Sequence, residues 1–138
     1  MKKIEVINSI TTTVTAAQLA ALAASPVELI PAPDSGKMLI PLVAILEYEF
    51  NSAPFSVPGG AVVSIGYSLG SGNAPFAVQA GGLLNQLQDK IFEAYPQSPA
   101  VQLASAFDGV NVVLSGPNFA SGDGSLIVTV IYTAIALG

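Results

Sequence analysis

The residues with the potential for chemistry are few in this chain of 138 residues. Gly66-Tyr67-Ser68-Leu69-Gly70 spells G-x-S-x-G, the pattern in which a strained strand-to-helix turn presents a serine to its base. That mechanism needs an imidazole, and the chain has no histidine; the residues after Gly70 (SGNAP) also form a loop and not a helix. Serine hydrolysis is therefore excluded unless a lysine served as base, and no lysine motif accompanies the serine. Glu47 and Glu49 stand two apart on an expected strand, so both carboxylates leave one face, about 7 Å apart. Paired acids can cleave glycosides or hold calcium. A glycosidase would also need aromatic and Arg or His partners around a cleft, and a calcium loop of DxDxDG type is missing, so a solvated strand end is the expectation. Asp123, between Gly122 and Gly124, reads as turn chemistry before it reads as a ligand.

Composition closes most of what remains. Histidine, cysteine, arginine and tryptophan are absent, which removes thiolate catalysis, disulfides and Cys/His metal sites. No enzyme activity, cofactor or metal is expected. The four cations are all lysines (Lys2, Lys3, Lys37, Lys90) against nine acids, for a net charge of −5. With no basic stripe for phosphates, nucleic acid is not an expected partner. No apolar run approaches the roughly 20 residues of a spanning helix. Residues 126–137 come nearest, but their Val, Ile, Thr and Tyr favour a strand. The N-terminal MKKIEVINSITTT lacks the apolar block of a cleavable signal. Neither a membrane span nor a signal peptide is expected.

The elements follow from alternation and turn punctuation. Strands are expected at residues 4–14, 27–30, 37–50, 61–68, 75–79, 100–107, 110–116 and 125–137, in a single domain covering 1–138. Residues 1–14 form either the first strand or an arm. Thr15-Ala16-Ala17-Gln18 matches a capping box and opens a short helix with Leu19, Leu22 and Ala23 inward. Ser25-Pro26 stops it. Pro31 to Gly36 makes a tight connection, and Pro41 implies an edge or a bulge in its long strand. Leu83, Leu84, Leu87 and Ile91 repeat at helical spacing, predicting a second, amphipathic helix over 82–93. Asp108-Gly109 predicts a two-residue type I′ hairpin between 100–107 and 110–116. The last strand is apolar on both faces and is expected at the centre of a sheet or between subunits. The fold class expected is mainly β: an antiparallel β-sandwich, with a jelly roll of about eight strands as its wiring and two short helices.

The chain carries only thirteen charged residues, 9% against an ordinary 25% or so, while 51% is hydrophobic. From Ala94 to Gly138 the only charges are Asp108 and Asp123. A monomer of this size exposes roughly 6,500–7,000 Å², and so uncharged a surface suits burial against other protein, as an obligate interface does. Two segments then carry a resemblance. Pro26 to Pro41 (PVELIPAPDSGKMLIP) and Leu114 to Leu137 (LSGPNFASGDGSLIVTVIYTAIAL) resemble small structural proteins of tailed bacteriophages, which often have a P-x-E-L-[IV]-P-A-P-x-[SA]-G-K turn and close on a G-D-G-[ST]-L-x-V-x-V-x-Y strand. The matching stretches, Glu28 to Lys37 and Gly122 to Tyr132, make up about a seventh of the chain. The resemblance implies a virion component assembled in the host cytoplasm, of the capsid cement or decoration type, and commonly trimeric. It carries over no catalytic residue.

Together these readings give a non-enzymatic protein whose partners are itself, as a homotrimer, and the major capsid protein. Ile127, Ile131 and Ile135 share one side of the last strand and are the expected subunit contacts. The lysine-bearing N-terminal strand is the expected arm towards the capsid. The alternative is a receptor- or glycan-binding module, or another neck, tail or baseplate component. Sugar platforms favour exposed aromatics, and the candidates are Phe55, Tyr67, Phe76 and Phe119.

Overall fold

The computed structural model describes residues 6–68, 74–96 and 107–137. Their alternating segments form eight strands and one short helix: β1 (Asn8–Val14), α1 (Ala16–Ala20), β2 (Val27–Ile30), β3 (Lys37–Glu49), β4 (Val62–Tyr67), β5 (Phe76–Gln79), β6 (Lys90–Ala94), β7 (Val112–Ser115) and β8 (Ser125–Ala136). They make two four-stranded sheets with orders β1-β8-β3-β6 and β2-β7-β4-β5. Every pairing is antiparallel. That order, with the chain passing between sheets at most connections, is the strand order of a jelly roll, two Greek keys folded face to face.

Each strand buries one side, and the two buried sides make one core. Leu126, Val128 and Val130 of β8 meet Ala44, Leu46 and Tyr48 of β3 on the inner face, all without exposed surface. From the other sheet come Val63, Ile65, Phe76, Val78, Val112 and Leu114. Burying a side chain of this size stabilises by about 1.5–3 kcal/mol. The expected central position of the last strand is found, with β8 between β1 and β3.

The 13-residue β3 would put a proline inside a sheet, and two features accommodate it. The register with β8 shifts between Pro41 and Val43, so Leu42 is an extra residue and the inward phase changes from Leu39 to Ala44. On its other side β3 pairs with β6 only from Ala44 to Tyr48, so among the described residues no strand lies beside Pro41 there. The capping box is present: the Thr15 amide donates to Gln18 Oε1 (2.9 Å) and the Gln18 amide to Thr15 Oγ1 (3.2 Å). Leu19 and Leu22 are buried as expected. Ala23 is exposed instead, because the helix has already ended and its amide donates to the Asn118 side chain (2.9 Å).

Two further expectations are corrected. The helix over 82–93 does not form. Gly82 has φ +89°, the Leu83 and Leu84 amides close one turn onto the Ala80 carbonyl, and from Lys90 the chain is strand β6. The helical spacing joined a turn to a strand. The Asp108-Gly109 hairpin is not type I′, since only Gly109 of the pair has positive φ (+69°), and Phe107 lies in a 3₁₀ turn. Long-range partners take these residues: Asp108 Oδ1 accepts from the Gly36 amide (2.7 Å) and the Gly109 amide donates to the Lys37 carbonyl (2.9 Å). Residues 100–106, the first arm of that hairpin, lie outside the described residues.

Candidate assembly interface

Directly opposed residues of an antiparallel sheet share a face, so the register builds the outer surface of β1-β8-β3-β6 row by row. Thr13, Ile127, Glu47 and Ile91 form one row; Thr11, Thr129, Ile45 and Glu93 the next; Ser9, Ile131 and Val43 a third. Past the bulge, Ile135 opposes Met38. Ile127, Ile131 and Ile135 are therefore brought together on one outward face and are half-buried there. Val43, Ile45 and the 66%-exposed Ile91 belong to the same surface, and the sequence reading missed them. The period-two run from Val43 to Glu47 is their signal, and for Ile91 the competing helix reading hid it. Threonine joins the isoleucines across strands: the Thr11 and Thr129 hydroxyls are 2.9 Å apart. No lysine stands in these rows.

Among the described residues β6 is an edge strand, paired only with β3. Around it lie exposed Leu87, Ile91, Phe92 and Tyr95, with the Tyr95 hydroxyl donating to Glu93 Oε2 (2.9 Å). An open apolar edge is a template for pairing with another chain.

The other candidates resolve into structural parts. Asp123 closes one end of the sandwich. Its carboxylate accepts from the Ser52 and Ala53 amides (2.9 and 2.8 Å), from Asn51 Nδ2 (3.0 Å) and from the Ser52 hydroxyl. The Ser52 hydroxyl and amide, with the Ala53 amide, hold its pKa down at about 2. The flanking glycines have steric reasons. A Cβ at Gly122 would lie 2.3 Å from the Phe55 ring, and one at Gly124 would lie 2.3 Å from the Glu49 carbonyl oxygen. The G-D-G motif is thus a clamp whose carboxylate already has four donors. Glu47 and Glu49 do leave one face of β3. Among the described residues no group of three or more His, Cys, Asp or Glu is placed to hold a metal, and no helix is long and apolar enough to cross a membrane.

Ser68 follows β4, and its hydroxyl donates to the Asn111 side chain, which in turn donates to Glu28 Oε2 (2.8 Å). That serine is a staple between strands; Leu69 and Gly70 lie outside the described residues. The aromatics proposed as a sugar platform do not form one. Phe55, Phe76 and Phe119 are core residues. Tyr67 lies on the Phe107 ring (centroids 4.4 Å apart), donates to the Leu39 carbonyl (2.6 Å), and is pushed up to about 12 by burial. Lys2 and Lys3, the expected arm, lie outside the described residues.

No protein-family model matches the chain, and no curated protein matches it. Solved structures do. The fold is similar to a chain in the acid-stable capsid of Helicobacter pylori bacteriophage KHP30, at 14% identity and a TM-score of 0.56, covering 96% of this chain and 91% of that one. It is similar also to a chain of the cyanophage Pam1 capsid asymmetric unit, at 14% identity and a TM-score of 0.50, covering 96% and 85%. At these identities the likeness is one of fold, and this chain has the fold of small β-rich proteins found in phage capsids.

Proposed function

We propose that this protein is a non-enzymatic structural component of a bacteriophage virion, a cement or decoration protein that self-associates as a trimer and clamps neighbouring capsid subunits. The observation that carries the reading is the outer surface of β1-β8-β3-β6. It presents Ile127, Ile131, Val43, Ile45 and Ile91 as one strip on a sheet whose inner side is already filled. Soluble monomers seldom leave such a patch open. The fold shared with phage capsid chains supports a place in the particle. The mechanism is linkage: a protein that binds the assembled shell and not its free subunits stabilises the shell, by about 2.7 kcal/mol at a hundred times its Kd.

Two measurements test this. The purified protein should co-sediment saturably with capsids of its phage. Ile131→Asp should leave the domain folded by circular dichroism and abolish self-association by light scattering. A wild-type protein that stays monomeric at high concentration and ignores capsids would overturn the reading. The glycan-binding alternative has lost its aromatic candidates: Phe55, Phe76 and Phe119 lie in the core and Tyr67 packs against it.

A further inference from the structure

We infer that the β3–β6 corner of the outer sheet face takes an extended basic and aliphatic segment, and that its occupant is the Lys2-Lys3-Ile4 segment of a second copy. The inference rests on the self-association proposed above and names the partner of that surface. At the corner, Glu47 opposes Ile91 and Ile45 opposes Glu93, which makes a checkerboard of two carboxylates and two isoleucines beside an edge of β6 that no described strand covers. A complementary extended segment carries a lysine and an aliphatic residue two apart, the spacing of Lys2 and Ile4.

Charge decides against the simplest alternative. Two copies pairing β6 with β6 about a two-fold axis would bring the Glu47 and Glu93 carboxylates of both copies onto one surface with no cation among them, an arrangement like-charge repulsion disfavours. The chain's four cations are Lys2, Lys3, Lys37 and Lys90. Lys37 is at the far end of β3, paired with Ala136, and Lys90 is on β6 itself, in the inward phase. Lys2-Lys3-Ile4 is the one stretch that combines two cations with an aliphatic residue.

Reach decides between one copy and two. The Val6 carbonyl accepts from the Thr133 hydroxyl at 3.1 Å, which fixes where the segment leaves the sheet, on the β1 edge. The row of Glu93 lies five residues along from there and three strands across, about 22 Å on the diagonal, and Glu47 lies about 26 Å away. Lys3 with its side chain extends about 16 Å from Val6 and Lys2 about 20 Å, even fully stretched. A chain cannot set both lysines on its own corner; a neighbour can. Val6 and Ile7, which lead into the segment, are 75% and 66% exposed, so they are not held against their own core. Passing the segment from each copy to the next is a heterologous contact, the kind that closes into rings.

A charge swap on the full-length protein tests this by sedimentation equilibrium, with thermal melts to confirm folding. Glu47→Lys/Glu93→Lys and Lys2→Glu/Lys3→Glu should each weaken self-association at least about tenfold. The fourfold variant should recover to within about threefold of wild type. Doubles that associate like wild type, or a fourfold variant with no recovery, overturn the inference. So does a Glu pair that affects capsid binding alone, which would make the occupant another protein. If Ile131→Asp still dissociates the protein while the charge variants do nothing, the parent reading stands and this one falls. A wild type that never self-associates removes both.

Discussion

The two sheets of the sandwich have the same inner chemistry and different outer surfaces. Outside β1-β8-β3-β6 stand four isoleucines and a valine in register with threonines and two glutamates. Outside β2-β7-β4-β5 the opposed residues are Glu28, Val113 and Gly66, then Ser115, Ser64 and Ala77, then Val62 and Gln79. That surface is small and mostly polar, with valine as its largest aliphatic. Folding alone gives no reason for the asymmetry, because both inner faces feed a single core. A second burial event does, if it involves only the first sheet.

The comparison can be broken by substitution, beginning with the largest effect. Leu126 and Ile127 are neighbours on β8 with opposite faces. Leu126→Ala should cost about 3 kcal/mol in denaturant unfolding. Ile127→Ala, measured dilute enough to be monomeric, should cost less than about 1 kcal/mol; equal losses would mean the outer face is already part of the monomer's core. Gly124→Ala forces a methyl group against the Glu49 carbonyl and should cost about 2 kcal/mol by the same assay. Next come the outer faces themselves. Ile131→Ser should weaken self-association about tenfold, the value of about 1.4 kcal/mol of lost burial, whereas Val113→Ser on the second sheet should leave it unchanged. Equal responses from the two sheets would remove the asymmetry on which the functional proposal stands.

How far these features were legible in the sequence depends on whether the signal was local. β2, β3 and β8 are within a residue of their expected bounds, since β-branched runs ended by Gly, Pro and Asp leave little choice. Pro41 foretold its bulge for the same reason: the missing N–H is a property of the residue itself. Where partners were distant the reading failed. Asp108 and Gly109 look like a hairpin turn, but their hydrogen bonds go to Gly36 and Lys37, more than seventy positions away. Leu83, Leu84, Leu87 and Ile91 have helical spacing by coincidence of a buried turn and an edge strand. The candidate interface was half legible. One strand's period gave Ile127, Ile131 and Ile135, but a surface is made by register, and only pairing with β3 and β6 adds Val43, Ile45 and Ile91 to it.

Acid tests the clamp at one end of the sandwich in a last and smaller experiment. Asp123 ties residues 51–53 to the start of β8 through hydrogen bonds that favour its ionised form, which is why its pKa falls from 3.8 to about 2. A carboxyl depressed in the folded state contributes stability in full above its unfolded value and loses it as pH falls through the folded value. The contribution should therefore be constant from pH 7 to about 4, decline between 4 and 2, and vanish below. Asp123→Asn keeps one acceptor and loses the charge. It should melt at a lower temperature than wild type at pH 7, by a gap that closes as pH approaches 2. A gap unchanged between pH 7 and 2 would mean that the clamp holds by shape and not by charge.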